Sequence, residues 1–309
     1  MLIISLLSCN LGLAQRDIHF SQYNFQPLLI NPALSGYSTD IETTFGYKKQ
    51  WLGLENAPSY SAFSINSPII HGGGGVGLQL TNQSFGQSKQ NSFLFSFAYK
   101  IRVNKGTLAI GIETGFRQYS LNVNDLIIDN QNDIVLKDVN NIIHPDLGLG
   151  VYYQTANTHI GLTAKKMIGK QYTIESDFFQ YNYYSLYAMK KIKIGANDKL
   201  YLSTFLNFDK NVPTLADFSI NFLIHNGLRC GLAYRTSNEL AFIAGIKLNK
   251  IVQKLNEDIS VGYAFNQSLS ALKSVNSGTH EVLLTYKFAK KRNPNSILKQ
   301  KKAVHPIFF

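Results

Sequence analysis

Between Asn91 and Ser120 the chain alternates with a period of two. Phe93, Phe95, Phe97, Tyr99 and Ile101 are separated by Ser92, Leu94, Ser96, Ala98 and Lys100. Leu108, Ile110, Ile112, Thr114 and Phe116 are separated by Ala109, Gly111, Glu113, Gly115 and Arg117. Successive side chains of a strand point to opposite faces, so each set belongs to one face of a sheet. Asn104-Lys105-Gly106 joins the two runs with residues that tolerate the positive φ of a hairpin turn. One face is continuous and aromatic, the other small or charged. A soluble sandwich would bury the apolar face. A membrane barrel would turn it to lipid and line a lumen with the other. One hairpin leaves both readings open.

The unit repeats. Alternating segments lie near 41–50, 59–69, 75–82, 91–102, 106–120, 146–154, 157–164, 183–193, 199–207, 216–224, 228–236, 240–248, 258–265 and 280–288. That is about fourteen strands, each near the roughly 9–11 residues a tilted membrane strand needs. Their connections sort by parity. Even-numbered ones such as 104–106, 155–157 and 225–227 are tight, and odd-numbered ones such as 121–145, 165–182 and 266–279 are long. The short 236–239 and the longer 249–257 depart from this. Short turns on one side and long loops on the other are the mark of outer-membrane barrels, with the short turns periplasmic. The expected fold is therefore all-β: a transmembrane antiparallel up-and-down β-barrel of about fourteen strands over 41–288. An even strand count places both termini in the periplasm. The lumen face would carry Lys100, Glu113, Arg117, Arg229, Arg235, Lys247, Glu281 and Lys287, with many glycines between them, including Gly111, Gly150 and Gly262. An Arg or Lys facing lipid at mid-membrane would instead cost roughly 2–4 kcal/mol.

Composition agrees. Of 309 residues 45% are hydrophobic and 12% aromatic, but only 16% are charged, against about a quarter in soluble domains. No apolar run reaches the roughly 18 residues of a spanning helix. The net charge is +11, but the segment 289–309 holds Lys290, Lys291, Arg292, Lys299, Lys301 and Lys302 and no acid. The excess is thus largely local, and no nucleic-acid-binding motif accompanies it. Residues 1–14 are apolar and end in Gly12-Leu13-Ala14, which reads as a signal peptide, though without the usual leading cation. The apolar run before Cys9 is too short for a lipoprotein signal, and cleavage after Ala14 leaves Cys230 as the single cysteine. Residues 15–40 are rich in Pro and turn residues and do not alternate, so they are expected to form a periplasmic or plug-like segment packed against or into the periplasmic mouth. The apolar end of the tail, with Phe308 and Phe309 beyond its cations, is expected to dock on a partner.

His19-Phe20-Ser21-Gln22-Tyr23, Pro27, Asn31-Pro32-Ala33 and Gly36 resemble the N-terminal signature of the PorP/SprF family. Tyr47, Gln50-Trp51, Gly53 and Ala57-Pro58 are similar to its next block, and Gly278-Thr279-His280-Glu281 leading to Tyr286 and Phe288 to its last strand. Gln26 and Leu34-Ser35 depart from the pattern. The resemblance implies an outer-membrane protein of type IX secretion and gliding in Bacteroidetes. It implies partners among periplasmic components, lipoproteins and secreted adhesins, besides outer-membrane lipid. The candidate partner-binding residues are His19, Phe20, Ser21, Gln22, Tyr23, Asn31, Pro32 and Trp51, with Phe308 and Phe309 in the tail.

Other motifs carry little chemistry. Gly72, Gly74 and Gly77 have dinucleotide-fingerprint spacing, but a strand follows where a helix is required. His280-Glu281 opens like a zinc-protease motif, but Leu284 stands where the second His belongs. Asp125, Asp129, Asp133 and Asp138 share the longest loop without the Gly of a Ca²⁺ turn, and a solvated loop is the expectation, with a weak Ca²⁺ site as its alternative. Neither cofactor nor enzymatic activity is expected. The function expected is docking of secreted proteins or machinery subunits at the outer membrane, and the alternative is a passive porin.

Overall fold

The computed structural model describes residues 19–69, 73–121, 142–168, 182–209, 212–250, 258–270 and 274–288. Fourteen strands form one closed antiparallel barrel, each paired with its neighbours in sequence and the last with the first. They are β1 (Ile41–Lys49), β2 (Ser59–Pro68), β3 (Gly74–Phe85), β4 (Ser88–Val103), β5 (Gly106–Leu121), β6 (Ile142–Gln154) and β7 (Thr158–Lys165). Then follow β8 (Tyr183–Lys193), β9 (Lys199–Asp209), β10 (Val212–Ile224), β11 (Leu228–Arg235), β12 (Glu239–Lys247), β13 (Asp258–Ser268) and β14 (Thr279–Phe288). The closing seam runs from Ile41 opposite Phe288 to Lys49 opposite His280. Closure leaves no sheet edge, as a sheet surrounded by hydrocarbon requires.

The direction of the alternation decides between sandwich and membrane barrel. On β4 the exposed set is Phe93, Phe95, Phe97, Tyr99 and Ile101, and the buried set is Ser92, Leu94, Ser96 and Ala98. On β10 Phe218, Ile220 and Phe222 point out while Asp217, Ser219 and Asn221 point in. On β11 Leu228, Leu232 and Tyr234 point out while Arg229, Ala233 and Arg235 point in. Cys230 shares the outward face. The wall is apolar outside and polar inside, the reverse of a soluble protein. Among the described residues no helix is long and apolar enough to cross a membrane.

Two strands begin before their expected starts, and proline is the reason. β6 starts at Ile142 and runs through Pro145, which faces only Phe116 of β5 because pairing with β7 begins at Leu149. β10 starts at Val212, with Pro213 inside an irregularity between Val212 and Leu215. At both sites the ring needs no ladder donor. The parity of the connections also needs correction. β3 and β4 extend until they meet in a tight turn at Gly86, where φ is 56°, and β9 and β10 are separated only by 210–211. The long connections that remain on that side are 50–58, 122–141, 166–182 and 269–278. The opposite side carries 69–73, 104–105, 155–157, 194–198 and 225–227, with 248–257 as its long member.

The interior is occupied. Residues 19–40 lie inside the barrel as a 3₁₀ turn at Tyr23–Phe25, a single α turn, α1 (Pro27–Ile30), and a second 3₁₀ turn at Pro32–Leu34. Helices this short have no stability of their own. They persist because Tyr23, Ile30, Ala33, Leu34 and Tyr37 pack on Tyr152, Tyr187, Tyr201 and Phe205 of the wall. The barrel core is therefore a sheath of strands around a plug. The plug is not confined to one mouth, as expected from sequence; it spans from one rim to the other.

Candidate functional site: the plugged lumen

The first turn of the plug is fixed by a buried charge pair. Lys48, next to last in β1, and Glu281, third in β14, face each other across the seam and are both fully buried. Their Nζ and Oε1 atoms are 3.0 Å apart. Lys48 also donates to the His19 carbonyl at 2.7 Å. Both Glu281 oxygens accept from the Ser21 backbone N–H, at 2.9 and 3.0 Å. Asn266 of β13 donates to the Ser21 hydroxyl at 2.8 Å and to Glu281 at 2.9 Å. A buried ion pair holds only when its remaining hydrogen-bonding capacity is met. Here the plug backbone meets it. The His19 ring reaches across the barrel to stack on Tyr183, the first residue of β8, at 5.9 Å.

Below this, Tyr23 stacks on Phe205 at 5.3 Å and meets Tyr187 edge-on at 6.2 Å. Asn24 donates to Ser203 at 2.8 Å and accepts from the Tyr187 hydroxyl at 2.8 Å. Arg229 donates to Gln22 at 3.2 Å, and its guanidinium carbon lies 3.4 Å from the Phe25 ring centre.

At the other rim Asn31 organises the contact. Its Oδ1 accepts from Ala33 N–H at 2.9 Å, capping the second 3₁₀ turn. Its Nδ2 donates to the carbonyls of Val151 on β6 and Leu162 on β7, at 3.1 and 3.0 Å. Glycines make this approach possible. A Cβ on Gly150 would overlap the Asn31 amide, one on Gly111 the backbone of Ala33, and one on Gly75 the backbone of Gly36. Gly36 has φ +61° at that contact; its N–H donates to Asn66 and its carbonyl accepts from Lys100. Tyr37 then donates to Glu42 at 2.6 Å, and Lys287 lies 3.2 Å from the same carboxylate.

The type IX secretion system membrane protein family PorP/SprF matches residues 12–286. The chain belongs to the PorP/SprF family. No curated protein matches it. Among solved structures, the CymD monoaromatic hydrocarbon channel is 12% identical, with 87% of this chain and 94% of that chain covered and a TM-score of 0.51. The TodX deltaS2S3 mutant monoaromatic hydrocarbon channel is 11% identical, with 84% and 93% covered and a TM-score of 0.52. At these identities the likeness is one of fold: an outer-membrane type of β-barrel.

In this PorP/SprF protein the signature residues are structural anchors. His19, Phe20, Ser21, Gln22, Tyr23, Asn31 and Pro32 are gathered in the plug, and from Phe20 to Tyr23 and at Asn31 and Pro32 all are buried. Trp51 is not among them. It lies in the 50–58 loop, where its backbone N–H donates to the Thr279 hydroxyl at 3.2 Å. Phe308 and Phe309, like residues 1–14, the aspartates of 122–141 and the basic segment 289–309, lie outside the described residues. The lumen-facing charges are inward and engaged: Glu113 with Lys165 at 3.5 Å, Arg235 with Asp217 at 2.7 Å and Glu239 at 2.9 Å, Lys247 with Asp258 at 2.7 Å, and Arg117 with Asp146. His280 does not share a site with Glu281. It contacts Tyr263 of the outward face at 2.7 Å. Sequence reasoning missed Tyr152, Tyr187, Tyr201 and Phe205. Their signal was present: aromatic residues on the polar-facing register of β6, β8 and β9, where a water-filled lumen offers no reason for them. It also missed Lys48, whose role depends on a strand distant in sequence.

Proposed function

We propose that this protein works as a closed docking platform for type IX secretion at the outer membrane, and not as a passive porin. The observation that carries the reading is the plug. A diffusion channel has no use for a lumen packed with tyrosines and bonded to its plug along its length. What such a barrel offers to other proteins is its two rims and its tail. The short-turn side is placed in the periplasm by the general rule for outer-membrane barrels, and the chain emerges there from β14. On that side the tail's six cations favour an acidic or phosphate-bearing surface, and its terminal aromatics suit an apolar anchor. On the outer side the 50–58 and 269–278 connections brace each other through Leu52 N–H to the Gly278 carbonyl at 2.8 Å and Ser277 N–H to the Leu52 carbonyl at 2.8 Å, forming a rigid rim for a secreted partner, such as an adhesin used in gliding. No catalytic role is assigned.

Planar-bilayer conductance tests the reading. The intact protein is expected to be silent, and a variant lacking residues 19–38 that still shows the heat-modifiable mobility of a folded barrel should pass a steady current. A steady open current through the intact protein would overturn the proposal in favour of a porin.

A further inference from the structure

We infer that the plug is threaded from outside inward, so that its leading end, His19, faces the long-loop rim and not the periplasm. The inference rests on the membrane orientation proposed above, with short turns periplasmic. Both ends of the plug are fixed by named contacts. The His19 carbonyl is held by Lys48 at the loop end of β1, and Ser21 by Glu281 and Asn266 at the loop ends of β14 and β13. The His19 ring lies against Tyr183, where β8 begins after the 166–182 connection. At the opposite rim Gly36 is held by Asn66 and Lys100, near the short-turn ends of β2 and β4. Tyr37 is held there by Glu42, second residue of β1. The plug therefore descends the barrel and turns directly into β1, which climbs back.

The space below His19 is taken by the plug's own later turns, in which Tyr23, Ile30, Ala33, Leu34 and Tyr37 are buried against the wall. Beside His19 a small cavity is lined by Phe20, Tyr23, Leu29 and Ile30 of the plug and by Tyr60, Gln83 and Gln90 of the wall. It follows that the family signature presents its leading end, His19, to the cell exterior.

Epitope insertion in the full chain decides the matter. One short tag is placed between Asp17 and Ile18. Two control tags are placed in separate chains, one between Asn130 and Gln131 in the long loop, one after Phe288. Each chain is checked for heat-modifiable mobility and probed with antibody on intact and on permeabilised cells. The 17/18 tag is expected to be detected on intact cells, like the 130/131 tag and unlike the tag after Phe288. If the 130/131 tag is detected on intact cells but the 17/18 tag only after permeabilisation, the threading inference is wrong while the orientation stands. If the 130/131 tag itself needs permeabilisation, the orientation is wrong. Should the 17/18 insertion prevent folding, His19→Cys in a Cys230→Ser background replaces it. Reaction with a membrane-impermeant maleimide on intact cells then supports threading, and reaction only after permeabilisation, or none, overturns it.

Discussion

Removing the Glu281 carboxylate should release the plug without dismantling the barrel. In Glu281→Ala the Lys48 ammonium keeps the His19 carbonyl but loses its counter-charge at 3.0 Å, in a site where both side chains are fully buried. The Ser21 N–H loses both acceptors, and Asn266 loses one of its two. Breaking one partner of a buried pair costs about 3–5 kcal/mol, because the survivor is left uncompensated. The cost falls on the plugged state, since with the plug withdrawn water can reach Lys48. At about 1.4 kcal/mol per factor of ten, the population of the released state should rise by between roughly a hundredfold and a few thousandfold. The assay is limited proteolysis of detergent-solubilised, folded protein, scored for cuts within 19–40. When opening and closing are fast relative to cleavage, the cutting rate tracks that population. Glu281→Gln, which keeps an acceptor for Ser21 but not the charge, should fall between the two. Lys48→Met combined with Glu281→Leu removes the uncompensated charge but also the partners of the His19 carbonyl and the Ser21 N–H, so it should recover only part of the protection. A Glu281→Ala plug that is cut no faster than wild type would refute the assignment of this pair as the plug's anchor.

Other substitutions probe separate parts of the argument. Gly111→Leu puts a side chain into the backbone of Ala33 and should expose the plug to protease while the barrel remains heat-modifiable; unchanged protection would show that the close approach is not required. Phe95→Arg places a cation on the lipid face near the middle of β4 and should cost about 2–4 kcal/mol of stability, read as a shifted urea midpoint for folding into vesicles. Tyr37→Phe removes the donor to Glu42 at 2.6 Å and should cost about 1.5–3 kcal/mol, the range for a hydrogen bond to a charged group, as a faster exchange of the Gly36 amide. A chain truncated after Phe288 should insert normally but lose export or gliding activity; normal export would show the tail to be dispensable.

The alternation from Ser92 to Arg117 gave the two faces of a sheet, because a strand's period of two writes both into adjacent residues, and only its repetition along the chain with the parity of the connections gave the barrel. The strand number followed, since each repeat of that pattern is local. The strand starts at Ile142 and Val212 were hidden behind Pro145 and Pro213, because proline marks a strand's end unless the neighbour that would need its N–H is known to be absent. The inward position of Glu113, Arg117, Arg235 and Glu281 was legible for the same reason as the two faces. Their partners were not. Asp146, Asp217 and Lys48 come from other strands, and only the register between strands says which charge meets which. The plug shows the limit most clearly. Its apolar and turn-forming residues announced a segment that must be buried somewhere, and the alternation placed Gly111 and Gly150 on the lumen face. That these were two halves of one contact was decided by closure of the sheet. Closure brings β1 beside β14, sets Lys48 against Glu281 and creates the enclosed space in which a segment with no stable structure of its own becomes ordered.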